Sequence, residues 1–295
     1  MGTNDWRKNP VTIENWPVGI DYVLAIDENG TPDLSYLRKC IRRSDIPTDK
    51  NHVQFTVSGA CFSRAGYAQF KDKIDLLKNK YWVDGKADYK GSTKKVCFHY
   101  SEISKKEHPF NILSYDTFRS ELDEIIKKAD CTIFSTSIDK VQHLIANQDK
   151  AYHPYNLSMG FILERFCHML NLNESSGIIM LESRKNKDRG LLKHLIEILD
   201  NGHYPNPKEH FRNIKGIYFN PKWRLQDNSQ STYSILEYSD FVGKIIHDYV
   251  FSESDGFNRF QLIKDKLYRY QGIYDGWGLK IYPKNNKTAS VALGG

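Results

Sequence analysis

The sequence predicts a mixed α/β domain built on a five-stranded sheet with helices on its faces. Three observations carry this. Apolar, β-forming runs occur at 21–27, 52–62, 131–138, 177–183 and 214–220. Three of these come early, before strands and helices begin to alternate, which argues for a sheet that is not purely parallel. From 155 onward, segments of helical period separate the strands, as in βαβ units.

In chain order, DYVLAIDENG (21–30) is an apolar run that ends abruptly in two carboxylates and an Asn29-Gly30 turn signal. HVQFTVSGACF (52–62) is the second strand. Apolar residues at 67, 70, 74, 77 and 81 predict a helix over 67–82. The Gly-, Lys- and Asp-rich stretch 84–95 reads as a loop, and VCFHYSEI (96–103) as a short strand. Thr117 to Ala129 is helical by period. These pieces make 63–130 a helical insertion between the second and third sheet strands, not a domain of its own.

CTIFSTSI (131–138) is the third sheet strand, followed by an apolar helix over 155–170. GIIMLES (177–183) is a strand, and Asp188 reads as the N-cap of a helix running to about Leu199. IKGIYFN (214–220) is the fifth strand. The longest later helix runs from Tyr233 to Phe251, and a short one is expected near 257–269. A single domain over 1–295 with a C-terminal extension at 252–295 accounts for the whole chain.

Composition narrows the classes. With 295 residues, 40% hydrophobic and 26% charged, the chain is long and apolar enough to bury a real core. No apolar run approaches the ~20 residues of a membrane span, and the first residues are polar, so a cytoplasmic protein with no membrane partner is expected. Cysteines at 40, 61, 97, 131 and 167 are widely spaced without a CxxC pair, which suits reduced thiols better than disulfides or zinc. The net charge of +6 permits polyanion binding without requiring it. No P-loop, HExxH or G-x-S-x-G motif is present, which leaves Walker-type hydrolysis, zinc proteolysis and α/β-hydrolase chemistry without support.

The carboxylates are the informative residues. Ligands of open α/β sheets gather at the carboxyl ends of strands, and two strands deliver acids there: Asp27 with Glu28, and Glu182. Asp240 lies within the apolar stretch SILEYSDFVGKII, where an unpaired charge is costly. A divalent cation would compensate such acids, and magnesium takes oxygen ligands. The plainer alternative is that each acid is a solvated loop residue or a helix cap, and spacing alone leaves both open.

Four segments together resemble the domain-of-unknown-function 3800 family. IDENG is similar to its strand-end Asp-Glu-Ser-Gly signature and YNLSMGFILERF to its apolar helix ending in Glu-Arg. LESRKNKD resembles its Glu-Ser-Arg…Asp element, and LEYSDFVG its Gln-x-Ala-Asp-Leu helix. They occur in family order across 21–251. The resemblance implies an RNase H-like fold and a metal-dependent nuclease site in which Asp27, Glu182 and Asp240 hold Mg²⁺ or Mn²⁺. It further implies accessory roles for Glu28, expected on the opposite sheet face from Asp27, and for His99 as general acid or base, with pairing to Glu102 as the alternative.

Arg184, Lys185 and Lys187, beside Glu182, are expected to contact nucleic acid; a solvated helix face is the alternative. Asn29, Lys185 and Glu237 depart from the family's serine, glycine and glutamine. Glu237 either alters the metal site or faces solvent. Glu164 sits where some RNase H-like nucleases place a glutamate, and a salt bridge with Arg165 is the alternative. The expected activity is hydrolysis of DNA or RNA, in defence or in a mobile element. The competing expectation is a non-catalytic nucleic-acid- or protein-binding module. A homo-oligomer or a required protein partner is compatible with either.

Overall fold

The computed structural model describes residues 5–224 and 227–284. Its main sheet contains β1 (Tyr22–Asn29), β2 (Gln54–Ser63), β5 (Thr132–Asp139), β6 (Gly177–Glu182), β7 (Ile214–Asn220) and β8 (Leu279–Tyr282). A separate small hairpin pairs β3 (Lys86–Asp88) with β4 (Thr93–Lys95). The sheet order is β7-β6-β1-β2-β5-β8. All its strands run one way except β2, which is antiparallel to both neighbours.

The sheet therefore has six strands where the sequence predicted five. The extra strand, β8, comes from the C-terminal extension and lies parallel to the edge of β5. Four residues carrying Lys and Tyr have too little apolar pattern to announce a strand; an open edge makes them one. Residues 285–295 of that extension lie outside the described residues.

The helices are α1 (Ser35–Arg42), α2 (Lys50–Val53), α3 (Arg64–Tyr81), α4 (Tyr100–Ser104), α5 (Tyr115–Lys128), α6 (Lys140–Asn147), α7 (Pro154–Leu172), α8 (Asp188–Asn201), α9 (Ser234–Phe251) and α10 (Glu253–Phe260). Alternate residues of β1 and β6 serve two cores, as the pleat requires. Val23, Ala25, Ile178 and Met180 face α9, with Tyr238, Phe241 and Val242 packed on them. Leu24, Ile26, Ile179 and Leu181 face α7 and α8, meeting Ile162, Phe166 and Leu195. Burial on both faces explains why these strands read as unbroken apolar runs.

The insertion shares the first of these cores. Phe70, Ile74, Phe98, Phe118 and Leu122 are buried in one cluster with Phe62 and Tyr238. A buried ion pair joins it to α9. Lys78 Nζ on α3 lies 2.7 and 2.9 Å from the two Glu237 oxygens and 2.9 Å from Thr232 Oγ1, with Lys78 fully buried. Glu237 thus neither faces solvent nor lines the cleft described below.

Other expectations need correction. Residues 96–99 belong to no strand, although Val96 N donates to Gly85 O at 2.8 Å, and the helix α4 begins at Tyr100, so VCFHYSEI is not a strand. The loop expected over 84–95 carries the β3–β4 hairpin. The helix expected near 257–269 starts earlier and stops at Phe260; beyond it Tyr268 N donates to Ile133 O at 2.9 Å, laying the chain along β5. Asp188 is the first residue of α8 and does not cap it. Its buried carboxylate reaches back to Ser183 Oγ (2.6 Å) and Arg184 N (2.7 Å), closing the turn after β6. All five cysteines are free, as expected. Among the described residues no helix is long and apolar enough to cross a membrane.

Candidate active site

Asp27 and Glu182 are neighbours by register. The parallel β1–β6 ladder pairs Ile26 with Leu181, so the next residue on each strand is an acid, and both acids fall on the face that carries Val23, Ala25, Ile178 and Met180. Asp240 arrives from above on α9. Ser239 Oγ donates to Ala25 O at 2.8 Å, which fixes the helix against β1. At Gly243 a Cβ would stand 2.5 Å from Asn29 Nδ2, so a side chain there would have to push the Asn29 amide aside. Behind the acids, Gly30 turns the chain at φ +85°, with space for a Cβ denied by Gln54 O at 2.4 Å.

These elements enclose a cleft of about 380 Å³. It is lined by Asp27, Glu28, Glu182 and Asp240, by His99, Tyr100 and Ser101, and by the cations Arg184, Lys222 and Lys244. Five of the eight residues singled out from the sequence are among them as acids or as His99, and Arg184 is a sixth. Lys185 and Lys187 are not: both are exposed on the short 3₁₀ turn beyond Arg184. Glu164 lies outside the cleft, and Arg165 donates to Phe161 O, Ser135 O, Trp277 O and Thr136 Oγ1 in place of any carboxylate.

Glu28 points to the sheet face opposite Asp27, as the strand period requires, yet still borders the cleft because the cleft wraps the strand end. It is ion-paired with Arg184, whose guanidinium carbon also sits 4.6 Å from the centre of the Tyr155 ring. The cation is thereby held at two points with part of its fork toward the cleft.

Asp240 is held as firmly. Its Oδ2 accepts the Tyr100 amide at 2.6 Å, satisfying one of the orphan donors at the start of α4. Its Oδ1 lies 3.3 Å from His99 Nε2, while His99 Nδ1 is 2.8 Å from Ser101 Oγ. With Nε2 donating to Asp240, Nδ1 accepts from Ser101. The alternative partner Glu102 is 3.9 Å away, so Asp240 is the stronger partner of His99.

The charges do not balance evenly. Burial, then Asp240, Glu28 and Glu182, push the Asp27 carboxyl well above the ordinary range. Burial pushes Glu28 up to about 7 against the pull of Arg184. Glu182 is raised by burial and by Asp240, with Lys222 opposing. Burial alone would raise Asp240 too, but the His99 bond and charge, Lys222 and the Tyr100 amide more than offset it and leave it lowered. Paired titratable groups pushed in opposite directions in one cleft are the usual mark of a functional site.

The donors are hard oxygens suited to Mg²⁺ or Mn²⁺, an ion often held through one or two carboxylates and several waters. Asp27, whose Oδ1 accepts the Glu28 amide at 2.8 Å, and Glu182 have coordination capacity to offer. Among the described residues, however, no three His, Cys, Asp or Glu side chains already converge on one point. The donor chemistry fits a water-rich ion; a closed cage of three carboxylates is not preformed.

Lys222, Lys244 and Tyr100 escaped the sequence reasoning. Lys222 follows β7 by two residues, so the same rule that found Glu182 at the end of β6 reaches it, once basic as well as acidic strand-end residues are counted. Lys244 and Tyr100 carry no such signal, since α9 packing brings them in. No family model, curated protein or solved structure matches the chain.

Proposed function

We propose that the chain is a metal-dependent nuclease of RNase H-like fold, related to the domain-of-unknown-function 3800 family. The observation that carries this is the convergence of Asp27, Glu182 and Asp240, from β1, β6 and α9, on one cleft beside Arg184. The order of elements supports it: the long apolar helix α7 lies between the third and fourth of the five strands expected from the sequence, β5 and β6, with β8 an addition. Lys185 supports it too. It stands where the family has glycine and has φ +50°, the backbone region glycine adopts freely.

In this proposal Asp27, Glu182 and Asp240 hold Mg²⁺ or Mn²⁺, which when bound would lower the pKa of water and neutralise phosphate charge. Arg184, steadied by Glu28 and Tyr155, binds a phosphate oxygen. Lys185 and Lys187 lie further along the same wall and add backbone contacts. His99, oriented by Asp240 and Ser101, is placed to move a proton at its ring nitrogens.

The test is cleavage of end-labelled single- and double-stranded DNA and RNA with Mg²⁺, with Mn²⁺ and with EDTA. Cleavage with metal that disappears in Asp27→Asn supports the proposal. Binding of nucleic acid by both proteins with cleavage by neither would favour the non-catalytic module. Cleavage that appears only with a partner protein would identify a subunit of a larger defence or mobile-element system.

A further inference from the structure

Lys222 stands in the acid cleft without an assigned task. Its Nζ lies 3.7 Å from Glu182 Oε2, its side chain is three-quarters buried, and its charge bears on Asp240 and Asp27 as well as on Glu182. The other two cations of the cleft are occupied elsewhere: Arg184 by Glu28 and Tyr155, and Lys244 by Asp248. Asp248 is shared with Lys50 at 2.5 Å. The partner of Lys222 is a carboxylate that the metal-dependent reading makes a ligand.

We infer that Lys222 is a tethered counter-cation: its ammonium balances Glu182, Asp27 and Asp240 in the metal-free protein, and a divalent ion must displace it to bind. This rests on the metal-dependent reading of the cleft. It explains two observations together. Two buried acids and the half-buried Glu182 can share one cleft without metal, and they nevertheless do not converge on a single point, because Glu182 is turned to the lysine. The Lys222 backbone is held, its carbonyl accepting Tyr233 N at 3.2 Å beside the Trp223–Thr232 bridge, so an outward swing needs only side-chain rotation and breaks no backbone bond. Lys222 acts through the carboxylates and is a positioning residue that sets metal affinity.

The experiment is a Mn²⁺ titration of the full chain by electron paramagnetic resonance, with melting curves in EDTA and in Mn²⁺, for the parent and for Lys222→Met, Lys222→Gln and Lys222→Arg. Removing a unit charge beside a divalent site should tighten Mn²⁺ binding by about tenfold or more. In EDTA the Met and Gln variants should melt lower than the parent, and in Mn²⁺ they should gain more. Lys222→Arg should stay near the parent in both. If Lys222→Met does not fold, Lys222→Gln carries the same comparison with a polar head.

Mn²⁺ affinity that is unchanged or weaker in these variants overturns the inference, as does a melting temperature in EDTA that does not fall. The two proposals fail separately. Tighter Mn²⁺ binding in Lys222→Met, with no nucleic acid cut by any of the proteins, keeps the counter-cation and removes the nuclease. Metal-dependent cleavage by the parent with unchanged affinity in the variants does the reverse.

Discussion

The buried Lys78–Glu237 pair offers the sharpest test of how the insertion is tied to the site helix. Both side chains are almost entirely out of solvent, and Lys78 Nζ makes three bonds, two to Glu237 and one to Thr232. Lys78→Met would strand the Glu237 carboxylate, with the Phe98 ring nearby, whose centre is 4.8 Å from the Lys78 ammonium. Breaking such a pair from one side costs about 3–5 kcal/mol, because a charge is left buried and unpaired. In a chain of this size that corresponds to a fall in melting temperature of roughly 5–15 °C.

Glu237→Leu should cost a similar amount by stranding the ammonium. The double variant Lys78→Met with Glu237→Leu removes both charges and should recover most of the loss, since well-packed apolar replacements of buried pairs are often near neutral. Urea denaturation followed by circular dichroism gives all four stabilities, and the double-mutant cycle gives the coupling. Single variants that cost under about 1 kcal/mol, or a double variant that costs the sum of the two, would refute the reasoning.

Asp27→Asn removes one charge from a crowded acid cluster and should stabilise the metal-free protein by about 0.5–2 kcal/mol while abolishing metal-dependent cleavage; a destabilised variant in EDTA would count against the repulsion argued for the cleft. Arg165 is fully buried among Phe161 O, Ser135 O, Trp277 O and Thr136 Oγ1, so Arg165→Met should cost about 3 kcal/mol or more by leaving those acceptors unmet, and hydrogen exchange should show β8 exposed first. His247 is fully buried, with Nδ1 3.0 Å from Thr56 Oγ1 and Nε2 unpartnered, and burial pulls its pKa from 6.5 down to about 4. The unfolded chain therefore binds a proton in that window before the native protein does, so stability is fully present above about 6.5 and is lost as pH falls toward 4, by up to about 3 kcal/mol. Stability curves of His247→Gln should be flatter over that range, and an unchanged slope would discount His247 as the source. Nucleic-acid affinity, if phosphates meet Arg184, Lys185 and Lys187, should fall with a log–log salt slope that loses about 1 for each of these residues neutralised; a slope unchanged by all three substitutions would exclude this wall.

The sequence by itself determined the local elements and the identity of the acids. Apolar runs buried on both faces left no ambiguity about β1, β6 and β7, and helical period located α3, α5, α7, α8 and α9. A carboxylate at the end of a strand and another amid Ile, Phe and Val are visible as anomalies because charge in apolar surroundings is costly. Other features follow from long-range contacts that have no local signature. Whether Glu237 faced solvent or a partner depended on Lys78, 159 residues away. The strand status of Leu279–Tyr282 depended on a free edge of β5. Asp27, Glu182 and Asp240 were nameable from the sequence, but their meeting was decided by β1–β6 register and by Ser239 seating α9 on Ala25. Lys222 combines both kinds: its place just after β7 is legible in the sequence, but only the laying of β7 beside β6 delivers its ammonium to Glu182.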